Sequence, residues 1–199
     1  MKKLDPTIHL QMADPILGEV IKKVDKPKWT NRTDHFRSLV EDIISQQLSV
    51  KASDTIIARF NALFPQLPYS PEDILALSTE IVRKVGISYA KVSYIKDLAL
   101  HVQNNTLDFE NIHLLSDEEV ILELIKVKGI GRWTAEMFLM FSLGREDVFS
   151  YGDQGLKNAM KRLYTLRSSP TPKQAEKISV KWKPYRTWAC RYLWASLEL

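Results

Sequence analysis

Val127-Lys128-Gly129-Ile130-Gly131-Arg132-Trp133-Thr134-Ala135, followed further on by Tyr151-Gly152-Asp153-Gln154-Gly155-Leu156-Lys157, is the stretch around which the chain is read. Five of the seven glycines lie between Gly129 and Gly155, so close-approach turn chemistry is concentrated there. An apolar helical pattern runs into Gly129-Ile130-Gly131 and another leaves from Arg132, which predicts a tight hairpin between two amphipathic helices. Successive backbone N–H groups at such a turn form an anion-binding concavity, and the following helix adds its positive end. Lys128 and Arg132 add charge and Thr134 a hydroxyl, a set suited to a phosphate. The plain alternative is an αα-hairpin whose glycines only allow close packing.

Outward from the hairpin, the periodicity is helical nearly everywhere. Upstream, Ser116-Asp117-Glu118-Glu119 is a capping box that opens the helix entering the turn. Residues 88 to 103 read as a long helix with Lys91, Lys96 and Asp97 outward. Ser70-Pro71-Glu72-Asp73 supplies a cap, a first-position proline and an acidic first turn, for a helix to about Leu77. Ser78 caps another that stops near Gly86. Phe36, Leu39, Val40, Ile43 and Ile44 form a buried-face stripe that ends at Gln46-Gln47-Leu48. A second stripe follows, with Ala52, Ile56, Ile57, Phe60 and Leu63 inward. The first 34 residues hold one helix candidate, Pro15 to Val24. Downstream, Arg132 to Leu143 closes at Gly144, and residues 153 to 164 are helical. A helix from Thr171-Pro172 runs to about Trp182. The last begins at Pro184, with Tyr185, Trp188, Ala189, Tyr192 and Leu193 inward. The fold class is all-α, about ten helices, with no strand pair and no repeat.

With 199 residues, 45% apolar and 26% charged, the chain can bury a core and is not a disordered one. The net charge of +4 is compatible with nucleic acid without demanding it. A single cysteine, Cys190, excludes an internal disulfide framework and a four-cysteine zinc or iron–sulfur site. Met1-Lys2-Lys3 is followed by no apolar segment, so no secretory signal is expected. No stretch approaches the ~18 apolar residues of a membrane span.

Residues 124 to 157 resemble the helix–hairpin–helix, Gly/Pro-rich loop and aspartate signature of the base-excision DNA glycosylase superfamily. Gly129 to Ala135, Asp147-Val148-Phe149 and Asp153 resemble its alkyladenine (3-methyladenine) DNA glycosylase II branch. Similarity extends to Asp14-Pro15-Ile16-Leu17, Ile44 to Ala52, Gly86 to Lys91 and Trp182-Lys183-Pro184-Tyr185-Arg186, in the expected order. Some bacterial relatives carry an extra N-terminal β-rich domain; this chain resembles the minimal form. The resemblance implies two helical lobes with a cleft between them. Residues 1–34 would pack with a C-terminal lobe of 146–199, and 35–145 would be the central lobe, its helix-hairpin-helix at about 116–143.

The resemblance also assigns roles. Asp153 is the catalytic carboxylate, which would stabilise an oxocarbenium-like sugar and orient or deprotonate water; the plain alternative is a helix N-cap after Gly152. Trp133 stands where superfamily members that also cut the backbone carry a nucleophilic lysine. A hydrolase without β-lyase activity is therefore expected. Trp133 and Trp182 would line a pocket for a flipped, cationic base, which π faces attract by ~0.5–2 kcal/mol; the plain alternative places both in the core. Met137 and Gln154 stand where relatives have aromatic pocket residues, and Tyr151 could compensate. Trp188 and Trp194 are expected in the core. Gln47 matches the residue that fills the vacated stack, although Gln46 and Gln47 could simply end a helix. DNA contacts fall on Gln47, Lys128, Gly129, Gly131, Arg132 and Thr134. The backbone carbonyls of Ile125, Val127 and Ile130 would hold a structural Na+ or K+. No cofactor for catalysis and no iron–sulfur cluster are expected, and Arg186 receives no role. The expected partner is double-stranded DNA with a damaged base, alkylated purines such as 3-methyladenine and 7-methylguanine first. Hypoxanthine, uracil or oxidised guanine, or a non-catalytic DNA-binding protein, are the alternatives. A monomer off the membrane is expected, cytoplasmic at the nucleoid in a prokaryote and nuclear in a eukaryote.

Overall fold

A computed structural model describes residues 4–28 and 30–199, so Met1-Lys2-Lys3 lies outside the described residues. The described residues contain twelve α-helices and three short 3-10 segments, and no strand. None of these helices is long and apolar enough to cross a membrane. The chain divides into two compact units, Met1–Asn31 with Gly144–Leu199, and Arg32–Leu143.

The discontinuous unit begins with α1 (Pro6–Ala13) and α2 (Pro15–Ile21). The sequence predicts only one helix here, with no helix before Pro15. In α1, Ile8, Leu10 and Met12 alternate, and only Leu10 is buried, so no helical stripe announces it. Its start is set instead by Asp5, whose carboxylate accepts from Thr7 N, ahead of Pro6.

The second unit contains α3 (His35–Ser45), α4 (Val50–Asn61), α5 (Pro71–Ala76), α6 (Thr79–Lys84), α7 (Tyr89–Gln103), α8 (Asp117–Leu124) and α9 (Arg132–Phe141). Capping boxes open α5 at Ser70 and α8 at Ser116. The α3 stripe Phe36, Leu39, Val40, Ile43 and Ile44 is fully inside. Within α4 only Phe60 of the predicted inward set is buried, because one side of that helix faces water. Helices α3 and α5 pack on α7, and α8 packs on α9. Lys91, Lys96 and Asp97, expected outward on α7, are half-buried. All three reach loop backbone, Lys96 Nζ donating to the Leu77 carbonyl at 2.7 Å.

The chain then returns to the first unit with α10 (Gln154–Leu163), α11 (Pro172–Ser179), a 3-10 turn at Val180–Trp182 and α12 (Arg186–Ala195). The last helix starts at Arg186, not Pro184, and Tyr185, Trp188, Ala189, Tyr192 and Leu193 are buried as expected.

Asp14 joins the two chain segments of this unit. Its side chain is 0% exposed, and Oδ1 caps α2 by accepting from Ile16 N and Leu17 N at 3.1 and 3.3 Å. Oδ2 accepts from Trp182 Nε1 at 2.8 Å, from Lys181 Nζ at 3.0 Å and from the Tyr164 hydroxyl. Burial alone would raise the Asp14 carboxyl. The Tyr164, Trp182 and Lys181 donors outweigh it and hold the group below the usual carboxylate range. A depressed pKa contributes stability that is present at neutral pH and lost as the pH falls below the ordinary carboxylate range near ~4. Asp14→Ala is expected to cost about 3 kcal/mol at pH 7, the scale for breaking a buried charge cluster. Urea unfolding followed from pH 7 to 3 checks this: the variant should lose less stability on acidification than the parent.

Candidate active site and nucleic-acid interface

The hairpin is built by α8, the turn Ile125 to Gly131, and α9. Its two glycines do different work. Gly129 has φ +80°, and a Cβ there would stand 2.2 Å from the Tyr94 ring of α7. Only glycine fits that left-handed, crowded position. Gly131 is exposed, has ordinary dihedrals, and no heavy atom beyond its chain neighbours lies within 4 Å of a Cβ built on it. It leaves open space at the N-cap of α9, an end with no side-chain cap. That combination suits an incoming anion.

The hairpin cations are not bare. Lys128 Nζ lies 3.3 Å from Asp97, whose Oδ2 also accepts the Lys128 N–H at 2.9 Å. Arg132 makes a two-pronged contact with Glu118 at 2.9 and 2.7 Å and approaches Glu136 at 3.2 Å. Lys128 and Arg132, expected to contact DNA, are thus both exposed and both paired with carboxylates. Thr134 is 5% exposed and lines a cavity instead of presenting its hydroxyl on the turn. Being on the first turn of a helix buried over most of its circumference, it has little surface to offer.

That cavity, about 600 Å³, lies within the Arg32–Leu143 unit. Gln46, Gln47, Leu48, Gly129, Trp133, Thr134, Met137 and Phe141 line it, with the paired Arg32 and Asp42, whose bonds are 2.7 and 3.0 Å. Its size is that of a small-molecule site. Trp133 is 46% exposed on the first turn of α9, which is unusual for so large an aromatic and leaves ring area to stack a planar ligand. Gln47 is exposed at φ +59°, in a left-handed conformation sparse for side-chain-bearing residues.

Asp153 belongs to the other unit. Its side chain caps α10 by accepting from Leu156 N at 2.7 Å, and the same Oδ1 accepts from Trp194 Nε1 at 2.9 Å. The residue is 7% exposed. Gly155 makes room for this pairing, since a Cβ there would stand 3.1 Å from both Asp153 Oδ1 and Trp194 Cδ1. The loop leading to Asp153 is fastened to α12. Arg186 Nε donates to Asp147 Oδ1 at 2.7 Å and its Nη2 to the Asp147 carbonyl at 2.6 Å. Val148 N donates to Thr187 Oγ1 at 3.0 Å. Arg186, without a role in the sequence, holds this loop in place.

Trp182, expected in the base pocket, is fully buried, and its indole N–H is committed to Asp14. The tryptophan beside the candidate carboxylate is Trp194, which periodicity alone assigns to the core. The i, i+3, i+7 set Thr187, Cys190 and Trp194 faces Val148 and Asp153, and that stripe is the signal that could have found it. Tyr151 is half-buried, edge-to-face with Phe149 at 4.8 Å, and Gln154 is exposed with its amide on Asn158 at 2.8 Å. Of the predicted site residues, Gln47, Gly129, Trp133, Thr134 and Met137 share one cavity, while Asp153, Tyr151 and Gln154 are carried by the other unit.

A helix-hairpin-helix with a capped, buried aspartate downstream defines a known class. Over residues 40–184 the chain matches the HhH-GPD superfamily base excision DNA repair proteins, and it belongs to that family. Among particular relatives, it is similar to the Bacillus halodurans DNA-3-methyladenine glycosidase crystal structure, with 38% identity and a TM-score of 0.85, covering 96% of this chain and 88% of that one. It is also similar to the Schizosaccharomyces pombe 3-methyladenine DNA glycosylase Mag1 in complex with abasic DNA, at 34% identity and a TM-score of 0.87, covering 98% and 97%. The alkylbase DNA glycosidase-like protein mag2 of the same yeast is 34% identical over 94% of this chain and 90% of its own length.

The two hairpin glycines should separate on substitution. Gly129→Ala is expected to lower stability by about 1–3 kcal/mol through the Tyr94 clash, read as a lower denaturation midpoint. Gly131→Ala should leave that midpoint within about 0.5 kcal/mol. It should nonetheless weaken duplex binding about tenfold, whatever the sequence, the scale of one lost charge-assisted hydrogen bond. Fluorescence anisotropy with two unrelated duplexes checks the binding.

Proposed function

We propose that the chain is a monofunctional DNA glycosylase of base excision repair, which hydrolyses the N-glycosidic bond of alkylated purines of the 3-methyladenine and 7-methylguanine type flipped out of duplex DNA. The observation that carries the reading is Asp153: a buried carboxylate fixed from two sides, by Leu156 N–H and the Trp194 indole, downstream of the hairpin. Family membership and the 3-methyladenine glycosylases among its relatives support the same reading.

In the proposed reaction the C1′–N bond breaks and its electron pair leaves with the base. Alkylation at N3 or N7 makes the base cationic, so it departs neutral. The positive charge that develops at the sugar is stabilised by the Asp153 carboxylate, which needs no reorganisation because its two donors already orient it. Water adds to C1′ and its proton passes to a base, a role Asp153 can fill. The exposed Trp133 ring and Met137 offer an apolar, polarisable wall for the extruded base. Position 133 carries no amine, so no Schiff base forms there and the strand stays intact. At the turn, a monovalent cation would be held by the carbonyls of Ile125, Val127 and Ile130. The Val127 carbonyl accepts the Ile130 N–H at 3.1 Å and keeps a second lone pair for the ion. We place the protein with the chromosome, as a monomer, needing no cofactor for catalysis.

Methylated duplex DNA tests the reading directly. The parent protein should release 3-methyladenine, and Asp153→Asn should lower the rate about 10²–10³-fold while duplex binding is kept. Release of only uracil or oxidised guanine would move the substrate assignment. Borohydride should trap no covalent protein–DNA adduct; a trapped adduct would refute the monofunctional mechanism.

A further inference from the structure

The turn between α3 and α4 is three residues long, Gln46 to Leu48, with Ser49 capping α4. Gln47 at its tip is left-handed, and both it and Leu48 are exposed. A turn so short and strained keeps one shape only if its surroundings over-determine it. They do so from α7. Lys91 Nζ donates to the Ile44 carbonyl at 2.8 Å and to the Gln46 carbonyl at 2.6 Å, two of the acceptors left unsatisfied where α3 ends. Gln46 then reaches across to the hairpin, its Nε2 donating to the Gly129 carbonyl at 2.9 Å. One α7 helical turn further on, the Tyr94 ring backs Gly129, and Asp97 accepts the Lys128 N–H. Positions 91, 94 and 97 are three apart and share one face of α7. That face therefore holds two loops at once, the turn that presents Gln47 and the turn that meets the phosphate.

We propose that Lys91 is a positioning residue for base displacement. By fixing the carbonyls of Ile44 and Gln46 it locks the Gln47 turn, and through Gln46 and Gly129 it couples that turn to the hairpin, so that gripping the backbone and presenting Gln47 are one event. The proposal rests on the glycosylase reading for the use made of Gln47. Burial lowers the Lys91 ammonium from its ordinary value without an acidic partner to offset it; the two carbonyls are its compensation. A surface lysine would not be placed so. An exposed neighbour would have kept its charge in water at no such cost.

The test uses the whole protein and a duplex carrying 2-aminopurine in a mispair, whose fluorescence rises when the base unstacks. Lys91→Met should bind this duplex within about threefold of the parent and lose about tenfold of the fluorescence rise, the scale of one lost hydrogen bond from a charged donor. Lys91→Arg should recover much of the rise. Gln46→Ala, which removes the tie to Gly129 and leaves the buried lysine in place, should also lower the rise while binding is kept, and it serves if Lys91→Met fails to fold. A full rise in Lys91→Met, or in Gln46→Ala where that variant must serve, overturns the proposal. So does a loss in either that merely tracks weaker binding. If the parent unstacks the base and the variants do not, yet the parent frees no 3-methyladenine, the positioning role stands and the glycosylase reading is what fails.

Discussion

The constraint on which the discontinuous unit depends is the saturated carboxylate of Asp14. A unit made of the first 31 residues and the last 56 or so has no short-range contact to close it, so the closure must come from groups far apart in sequence. Asp14 supplies it: Oδ1 caps α2 while Oδ2 takes donors from Tyr164, Lys181 and Trp182. A buried carboxylate is costly unless every lone pair is used, and here the cost is offset by five donors. The same unit holds Asp153, so this closure, with the Tyr185 hydroxyl on the Leu4 carbonyl and Arg191 on the Lys28 carbonyl, frames the candidate catalytic group.

Asp14 and Asp153 are chemically alike, and that likeness marks the limit of what the sequence can say. Each precedes a helix, caps it through Oδ1, and accepts an indole N–H, from Trp182 in one case and Trp194 in the other. The caps are legible because they act over two or three residues. The indole partners are not, since they come from 168 and 41 residues away. Resemblance therefore pointed to Asp153 but gave no sign of Trp194, the indole that the fold sets against it. Asp14 also takes an ammonium and a phenol, from Lys181 and Tyr164, and serves as a structural joint.

The helices follow the same division between local and distant causes. The helix starts at Ser70, Ser116 and Thr171, and the buried stripes of α3 and α12, are written in neighbouring residues and appear where expected; the box expected at Ser116 is present, and Ser70 and Thr171 form boxes too. Helix α1 lacks a stripe because it buries little more than Leu10, and its only local mark is Asp5-Pro6. On α7 the polar residues Lys91, Lys96 and Asp97 look like a solvated face by periodicity. Their partners include backbone atoms far off in sequence, the carbonyls of Ile44, Gln46 and Leu77 and the Lys128 N–H, and no pattern of side-chain polarity encodes such an atom.

The hairpin shows how such hidden partners change a functional argument. Lys128-Gly129-Ile130-Gly131-Arg132 reads as a turn with two cations, and a cationic grip would gain its affinity largely from released counterions. In the fold, Arg132 faces Glu118 and Glu136, and Lys128 faces Asp97, so local charge is close to balanced. What remains unbalanced is directional: the uncapped start of α9 and the open space over Gly131. Those groups favour an anion at one point and one approach, where a mobile lysine would accept many. The carboxylates thus offset much of the cationic charge beside the α9 start, and Gly131 keeps the space over that start open.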